Sequence, residues 1–450
     1  MSSLLRFFAT GPDQPQLTDA GTVDALYRKH RLRVMLAITL GYGVIYTCRL
    51  ALGVVKKPLI DSGIFGPAEL GLIGSALFYT YAIGKLTNGF LADHANMKKF
   101  LAAGFLLSAL CNFGMGFSTA VWLSALLWGL NGWFQSLGAP GGVVAMTAWF
   151  SNRERGRYYG IWSTAHSIGE GLTFIGVGTV VAVLGWHWGF LAPAIAGVAT
   201  AAMAYKLLQD RPRTLGLPAV ADWRNDHYAT SAIPHNQGAG NVFRTQLSIL
   251  KIPAVWVLAL SSATIYVTRY AINSWGVLYL QEARGYSLPA AGTLLMVSTI
   301  AGMAGAVAYG FISDKAFNAR RPPVNLLFAL SELAGLGLIF FGPTTLFTLV
   351  AGMILFGVGL TGLVTSLGGL FAVDICPKRV AGAAMGLIGI FSYIGAAIQE
   401  NISGHLIERG MTVVDGVRTY DFSTVVWFWI GASFVSMLLA ASLWRVKLRD

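Results

Sequence analysis

The chain has 450 residues, of which 55% are hydrophobic and 12% are charged, and its net charge is +12. A soluble domain has about 25% charged residues, so this composition excludes an ordinary soluble protein and indicates an α-helical membrane protein. The apolar runs continue for about 20 residues or more, which excludes an outer-membrane barrel, because barrel strands alternate polar and apolar residues over about ten positions.

Apolar runs of spanning length occur twelve times along the chain. About 20 residues are enough for one helix to cross the hydrocarbon core of a bilayer, and we therefore predict an all-α membrane protein with twelve transmembrane helices. The predicted spans lie near 34–54, 70–92, 100–117, 120–149, 158–183, 187–205, 253–281, 287–313, 323–342, 345–373, 380–408 and 422–444.

A long polar stretch separates the first six spans from the last six. It contains Pro212, Pro218 and Pro234 and the segment Gly238-Ala-Gly240, a composition that is typical of a linker. We predict five parts, which are an N-terminal segment at 1–33, a six-helix half at 34–205, a linker at 206–252, a second six-helix half at 253–444 and a tail at 445–450.

Lysine and arginine are distributed unequally between the two sides of the predicted bundle. Of the 32 basic residues, 24 fall on the side of the N-terminus, and 5 fall on the opposite side: Lys56, Lys57, Arg284, Arg409 and Arg418. Cytoplasmic loops carry an excess of these residues, so we expect both termini and the linker in the cytoplasm. The same distribution accounts for most of the net charge, and we expect no nucleic-acid partner.

Three basic residues fall inside the predicted spans, namely Arg49, Lys85 and Arg269. A charge at the centre of a bilayer costs from about 2.5 to more than 10 kcal/mol, so such residues normally face a cavity and have a partner. These three residues are therefore the first candidates for a binding site.

The segment around each of the two arginines is part of a repeat. Tyr46-Thr-Cys-Arg49 recurs 220 residues later as Tyr266-Val-Thr-Arg269, and Gly89-Phe-Leu-Ala-Asp93 recurs 221 residues later as Gly310-Phe-Ile-Ser-Asp314. A duplicated six-helix unit places its substrate near the midplane, where the two halves meet. We therefore expect Arg49 and Arg269 on opposite sides of one central cavity.

The two arginines suit a phosphate group. A guanidinium group stays protonated, and its planar fork can donate two parallel hydrogen bonds to phosphoryl oxygens. One phosphate dianion between Arg49 and Arg269 would neutralise both charges. The alternative is that each arginine forms a structural ion pair with an internal carboxylate, for which Glu170, Glu332 and Glu400 are available.

Lys85 and His166 are further candidates for contact with an anion. Lys85 lies four residues after Tyr81 on the same helical face. It either contacts phosphate, extends toward the membrane surface or forms an ion pair. His166 shares a helix face with Trp162 and Glu170, and a neutral imidazole can donate to a phosphoryl oxygen or accept a proton. The alternative for His166 is a structural histidine between helices.

Several motifs together resemble one known family. They are Tyr42-x-x-x-Tyr46-x-x-Arg49, Tyr81-Ala-Ile-Gly-Lys85, Gly132-Trp-Phe-Gln135, Arg153-Glu-Arg-Gly156, Ala165-His166 and Tyr266-Val-Thr-Arg269. From about residue 15 to residue 445, the sequence resembles the organophosphate:phosphate antiporter family of the major facilitator superfamily. The segment Leu17-Thr-Asp19 and the segment from Asp210 to Val220 are similar to the hexose-phosphate sensor and transporter branch of that family.

The resemblance implies a major facilitator fold and a transport function. Members of the family exchange a phosphate ester for inorganic phosphate by rocking two halves around a central site. For this sequence, the resemblance implies that Arg49 and Arg269 form a phosphate clamp supported by Lys85 and His166. It also implies that the cavity has a polar lining of Tyr42, Tyr46, Tyr81, Tyr266 and Tyr393.

From this resemblance we expect a monomeric, multi-pass protein of a bacterial inner membrane that binds a sugar phosphate or glycerol phosphate and inorganic phosphate. Two alternatives stay open, which are a sensor of external hexose phosphate that signals to a partner kinase, and a proton-coupled symporter of an organophosphate or phosphonate. We expect no enzymatic activity, cofactor or metal, because the sequence contains no nucleophile with its base, no P-loop and no metal-ligand spacing.

Two acidic residues depart from the family's pattern. Glu170 and Glu400 occupy positions where the family more often has small or apolar residues. If these side chains reach the cavity, they can bind a cationic group of the substrate or a proton. The alternative is that they neutralise excess arginine and lysine charge within the bundle.

Two loops resemble the cytoplasmic gating loops of the superfamily. Asp93 is followed by Lys98 and Lys99, and Asp314 is followed by Arg320 and Arg321. The resemblance implies that these loops contact the segments 153–157 and 378–379 when the cavity is closed to the cytoplasm. The predicted gating residues are Asp93, Arg155, Asp314 and Arg379.

Overall fold

The computed structural model describes residues 7–226, 248–318, 320–376 and 380–446. Its first half contains helices α1 (Ala20–Asp61), α2 (Pro67–His94), α3 (Met97–Met115), α4 (Val121–Gln135 and Gly138–Trp149), α5 (Asn152–Ser163, Ala165–Gly171, the π-helical turn Leu172–Val177, and Gly178–Leu184) and α6 (His187–Leu207). Its second half contains α7 (Pro253–Tyr270, the π-helical turn Ala271–Trp275, and Gly276–Glu282), α8 (Leu288–Ala316), α9 (Arg321–Phe341), α10 (Leu346–Thr365, the π-helical turn Ser366–Leu370, and Phe371–Ile375), α11 (Ala381–Gly410) and α12 (Ser423–Ser442).

The prediction of an all-α membrane protein built from two six-helix halves is confirmed. Within the described residues, nine of the helices are long and apolar enough by themselves to cross a bilayer. Helices α2, α3 and α4 complete the set of twelve. The twelve helices correspond in order to the twelve predicted spans.

Helix α1 is longer than predicted at both ends. It covers 42 residues and begins after Asp19, whose side chain accepts a hydrogen bond from the Thr22 N–H. Its C-terminal end includes Lys56 and Lys57, which lie beyond the predicted end of the span at residue 54. The predicted end was too early, because a count based on apolar runs ends a span at its first charged residues even when the helix continues.

A short β-hairpin follows α11 and was not predicted. Strand β1 (Met411–Val414) pairs in antiparallel fashion with strand β2 (Val417–Tyr420). The two turn residues, Asp415 and Gly416, both have positive φ angles, as expected for an Asp-Gly hairpin turn. We call the end of the bundle that contains this hairpin and the C-terminal end of α1 the hairpin end.

The opposite end of the bundle contains the start of α1 and the first part of the polar stretch between the halves, and we call it the linker end. The Tyr27 hydroxyl donates to the Pro218 carbonyl at 2.6 Å, and the Tyr27 ring stacks on Trp223 at 4.1 Å. The first part of the predicted linker therefore packs on the first half, with a 3-10 turn at Pro212–Leu215 and a short helix at Val220–Arg224. A second 3-10 turn, Ser248–Lys251, precedes α7, and residues 227–247 of the predicted linker lie outside the described residues.

The two halves approach each other through helix pairs with small residues at the contact. A Cβ atom added to Gly71 of α2 would lie 2.5 Å from the Glu400 carbonyl oxygen of α11. A Cβ atom added to Gly292 of α8 would lie 2.2 Å from the Phe174 carbonyl oxygen of α5. Both distances are too short for a side chain, so glycine is required where α2 meets α11 and where α5 meets α8. Helices α2, α11, α5 and α8 therefore border the space between the two halves.

Candidate functional site

Arg49 of α1 lies in a box of aromatic rings. Only 3% of the residue is exposed, and its guanidinium carbon is 4.3 Å from the Tyr81 ring centre, 5.0 Å from Tyr393 and 5.2 Å from Tyr46. One of its terminal nitrogens donates to the Tyr270 hydroxyl at 2.8 Å. Its buried Nε has no hydrogen-bond partner. None of the described carboxylates forms an ion pair with it.

Arg269 of α7 lies beside Arg49. Its guanidinium carbon is 5.7 Å from the centre of the Tyr270 ring, and that of Arg49 is 5.8 Å from the same ring centre. The Tyr266 ring is 5.6 Å from the Arg269 guanidinium carbon. Each half of the protein therefore contributes one arginine to the same space, and Tyr270 contacts both.

The three candidate carboxylates differ in their partners. Glu170 of α5 lies 3.4 Å from a terminal nitrogen of Arg269. Glu400 of α11 pairs with Lys56 instead of an arginine. Glu332 of α9 is fully buried and forms no ion pair within the described part of the chain. Arg269 therefore does form an ion pair with an internal carboxylate, as the alternative predicted. Arg49 forms no such pair with any described carboxylate.

Glu170 is held by three side chains of the second half. Besides Arg269, the Asn273 amide donates to it at 3.3 Å and the Thr299 hydroxyl donates to it at 3.0 Å. Asn273 lies in the π-helical turn of α7, and the π-helical turn of α5 begins two residues after Glu170. Such turns are frequent at functional sites, and here they lie next to the contact between the two halves.

Lys85 of α2 extends toward α11. Its Nζ lies 5.1 Å from the centre of the Tyr393 ring, and a Cβ atom added to Gly389 would lie 2.5 Å from that Nζ. The Tyr81 ring lies 4.3 Å from Tyr393, so Tyr393 is close to both Lys85 and Arg49. No carboxylate among the described residues pairs with Lys85.

His166 of α5 lies between two tyrosines of α1. Its ring centre is 5.2 Å from that of Tyr42 and 5.3 Å from that of Tyr46, in edge-to-face geometry. The centre of the Trp162 ring is 6.3 Å from that of His166 and 5.9 Å from that of Tyr42. The predicted face with Trp162, His166 and Glu170 is therefore directed toward α1 and the space between the halves.

A further buried cation between the halves, Lys56, was not predicted from the sequence. Its Nζ pairs with the Glu400 carboxylate at 2.8 Å, and the two side chains are 0% and 1% exposed. The same Nζ donates to the Ser274 hydroxyl at 2.7 Å and lies 3.3 Å from the Trp275 ring centre. Lys56 follows Arg49 by about two helical turns, so the two residues lie on the same face of α1. This spacing is the feature of the sequence from which a buried position of Lys56 could have been predicted.

Two more sets of charges surround this pair at the hairpin end. Lys57 pairs with Glu282 of α7 and, at 3.0 Å, with Asp61. Arg418 of the β-hairpin lies 3.8 Å from the same Asp61 carboxylate. Pairs of Lys56, Lys57 and Asp61 of α1 with residues of the second half therefore join the two halves.

Three of the four predicted gating residues, Asp93, Arg155 and Asp314, lie at the linker end. Arg155 donates to the Phe150 carbonyl at 3.2 Å, Asp314 pairs with Arg321 at 3.3 Å, and Asp93 is exposed. Each of these contacts stays within one half of the protein. Arg379 lies outside the described residues, so its gating role stays a prediction.

The chain is similar in sequence and in fold to known proteins. Residues 38–399 match the Major Facilitator Superfamily. The chain is 34% identical over 403 residues to the membrane sensor protein UhpC of Salmonella typhimurium, a match that covers 88% of this chain and 89% of the relative. It is 31% identical over 456 residues to a probable hexose phosphate transport protein of Chlamydia pneumoniae, with 98% and 96% covered.

A third relative and two solved structures agree with this assignment. The glycerol-3-phosphate transporter of Bacillus subtilis is 31% identical over 420 residues, with 90% of this chain and 92% of the relative covered. An inward-facing, unoccupied bacterial homologue of the human lysosomal transporter Spinster superposes with a TM-score of 0.70 at 17% identity, covering 92% and 95% of the chains. The nucleoside transporter NupG superposes with a TM-score of 0.66 at 16% identity, covering 92% and 100%. These two structures support the fold alone.

Proposed function

Because this chain belongs to the Major Facilitator Superfamily, we propose that it moves a phosphate ester across the membrane in exchange for inorganic phosphate, by alternating access. It is a multi-pass integral membrane protein and a transporter rather than an enzyme. The predicted resemblance to the organophosphate:phosphate antiporter family is confirmed by the relatives named as hexose phosphate and glycerol-3-phosphate transporters.

The observation that carries the proposal is the environment of Arg49. A buried guanidinium without a carboxylate partner is costly. Arg49 is nevertheless only 3% exposed, it is surrounded by aromatic rings, and its Nε–H has no hydrogen-bond acceptor. A ligand with negative charge would remove this cost. Arg269 offers a second guanidinium in the same space, and two such forks match the oxygens of a phosphoryl group.

The remaining side chains of the cavity have proposed supporting roles. Lys85 supplies a third positive charge beside Tyr393, and the His166 imidazole lies between Tyr42 and Tyr46, where it can donate to a phosphoryl oxygen. Tyrosine hydroxyls can exchange hydrogen bonds with the phosphate or with hydroxyl groups of an ester. The proposed tyrosine lining is Tyr42, Tyr46, Tyr81, Tyr266 and Tyr393.

The same charges explain why the protein would exchange one substrate for another rather than return empty across the membrane. Closing an empty cavity keeps Arg49 and Arg269 near each other in a medium of low dielectric, and like charges several ångströms apart cost about 2 to 4 kcal/mol at an effective dielectric near 20. A bound phosphate removes this repulsion. The loaded carrier therefore changes conformation readily, and the empty carrier does so slowly.

We propose that the linker end faces the cytoplasm of a bacterial inner membrane, since 24 of the 32 basic residues lie on that side. In this orientation the ion pairs of the hairpin end close the cavity on the outside. We propose that the structure is that of a monomer closed on the outside, and that the gating residues Asp93, Arg155, Asp314 and Arg379 meet when the halves rock to close the cytoplasmic side.

A second candidate function is a membrane sensor of hexose phosphate that signals to a partner kinase. It is favoured by one observation, the 34% identity to the membrane sensor protein UhpC over 88% of this chain. A sensor and a transporter need the same phosphate cavity, and they differ in whether the bound ligand crosses the membrane.

The test is phosphate exchange by the purified protein in proteoliposomes. Vesicles loaded with phosphate are expected to take up labelled phosphate, and glucose 6-phosphate or glycerol 3-phosphate should compete. Vesicles with Arg49→Ala or Arg269→Ala are expected to lose this uptake. Binding without exchange by the wild type would favour the sensor, and uptake into phosphate-free vesicles driven only by a pH gradient would favour proton-coupled symport.

A further inference from the structure

Among the described residues, the Glu170 carboxylate lies beside Arg269, and the exchange mechanism does not explain its role. We propose that Glu170 is a specificity-determining residue that limits the substrate to two negative charges. This inference rests on the proposed function, because it concerns the phosphate group that Arg49 and Arg269 would bind. It assigns to Glu170 a role other than a proton site or a receptor for a cationic substrate.

The position of Glu170 is fixed by contacts that a bound substrate need not disturb. The residue is 8% exposed, and the Asn273 amide and the Thr299 hydroxyl donate to its carboxylate at 3.3 and 3.0 Å. The Arg269 contact is longer, at 3.4 Å. When Arg269 turns toward a phosphoryl group, the other two donors can still hold the carboxylate at the wall of the cavity.

The charges around the cavity then leave two positive charges without a partner. Arg49, Lys85 and Arg269 contribute three positive charges, and Glu170 contributes one negative charge. Lys56 and Glu400 neutralise each other at 2.8 Å and do not enter the balance, and we count His166 as neutral. A phosphate monoester with two negative charges makes the cavity neutral.

Substrates of other charge do not satisfy this balance. A phosphodiester with one negative charge leaves one cation unpaired in the closed cavity, and a phosphorylated carboxylic acid with three leaves one anion unpaired beside Glu170. An unpaired charge in a buried site is costly. Discrimination by placing a like charge against the wrong ligand is a common device of specific binding sites.

The test compares esters that differ in charge and little in size. Inhibition of labelled phosphate exchange is measured at one pH with glycerol 3-phosphate, a dianion, and with 3-phosphoglycerate, a trianion. The wild type is expected to prefer the dianion. In Glu170→Gln, the ratio of the two inhibition constants should shift toward the trianion by about tenfold or more, because one buried unit charge has been removed.

Two variants serve as controls. Glu332→Gln makes the same change at a fully buried glutamate of α9, away from the arginines, and should keep the wild-type ratio. Glu170→Asp keeps the charge, and its ratio of inhibition constants should stay within about threefold of the wild-type ratio. If the role of Glu170 were purely structural, the ratio would not depend on whether the variant keeps the charge.

The outcomes separate this inference from the proposed function. An unchanged ratio in an actively exchanging Glu170→Gln protein overturns the charge limit alone. If Glu170→Gln does not fold, the wild type still decides, because equal inhibition by esters of one, two and three negative charges contradicts the inference. Absence of phosphate exchange and phosphate binding in the wild type overturns both.

Discussion

The two ends of the molecule use ion pairs in different ways. At the hairpin end, Lys56 pairs with Glu400 and Lys57 pairs with Glu282, and each of these pairs joins α1 to the second half. At the linker end, Arg31 pairs with Glu154 at 2.7 Å within the first half, and Arg321 pairs with Asp374 at 2.6 Å within the second half. One end is therefore closed by charges between the halves, and at the other end the ion pairs of the described residues lie within each half.

Burial changes in steps across the hairpin end. The side chains of Lys56 and Glu400 are 0% and 1% exposed, those of Lys57 and Glu282 are 29% and 15% exposed, and those of Arg418 and Asp61 are 32% and 47% exposed. Removing one partner of a buried pair costs about 3 to 5 kcal/mol, whereas an exposed pair contributes about 0 to 1 kcal/mol. The innermost pair is therefore expected to control whether this end opens.

The largest effect is expected from Glu400→Gln. This change leaves the Lys56 ammonium buried without a carboxylate, at a cost of about 3 to 5 kcal/mol to the closed hairpin end, and opening that end lets water reach the ammonium. Spin labels at Ser62, which directly follows α1, and at Thr412 of β1, in a background without Cys48, Cys111 and Cys376, should move apart. Their distance can be measured by pulsed electron paramagnetic resonance.

A matched double variant distinguishes lost charge pairing from lost packing. Lys56→Met combined with Glu400→Leu removes both charges and keeps apolar volume, and replacing a buried ion pair in this way is often neutral or stabilising. The distance between the labels should return to that of the wild type. If Glu400→Gln alone leaves the distance unchanged, the pair does not hold the hairpin end closed.

A smaller effect of a different kind is expected from Arg321→Ala at the linker end. Arg321 donates to Asp374 at 2.6 Å and to Ser313 at 2.7 Å, and losing hydrogen bonds to charged groups costs roughly 2 kcal/mol or more. The melting temperature should fall, and the distance between Ser62 and Thr412 labels should not change. An increase of that distance would show that the Arg321 pair, although it lies within one half, also controls how the two halves are placed.

Lys57→Ala should have an effect of about 1 kcal/mol on the hairpin end, because its partners Glu282 and Asp61 are partly exposed. A double-mutant cycle with Glu282→Ala isolates the pair from the other effects of each change. The quantity measured is the fraction of protein with the hairpin end open, obtained from the same label distance. A coupling energy larger than that of Lys56 with Glu400 would reverse the expected order.

The smallest effect is expected from Arg418→Ala. Its distance to Asp61 is 3.8 Å, and both side chains are substantially exposed, so the change in stability should be about 0.5 kcal/mol or less. Added salt should remove even this difference, because exposed charges are screened. Thermal unfolding at low and high ionic strength measures both effects.

The sequence by itself determined the architecture and the principal cations. Twelve apolar runs specify twelve helices because a bilayer requires about 20 apolar residues per span, and the repeat of Tyr46–Arg49 at Tyr266–Arg269 places one arginine in the first helix of each half. Arg49 and Arg269 were identifiable because a charge within an apolar run is costly and rarely lies there without a role.

Only the tertiary structure decided which charges pair with each other. Lys56 and Glu400 are 344 residues apart, and Glu170 and Arg269 are 99 residues apart, so neither pairing has a signature in local sequence. Pairing depends on which helix faces meet and how closely glycines such as Gly71 allow them to approach. Hydropathy and helical period describe each helix alone, and the contacts between the two halves lie beyond what they specify.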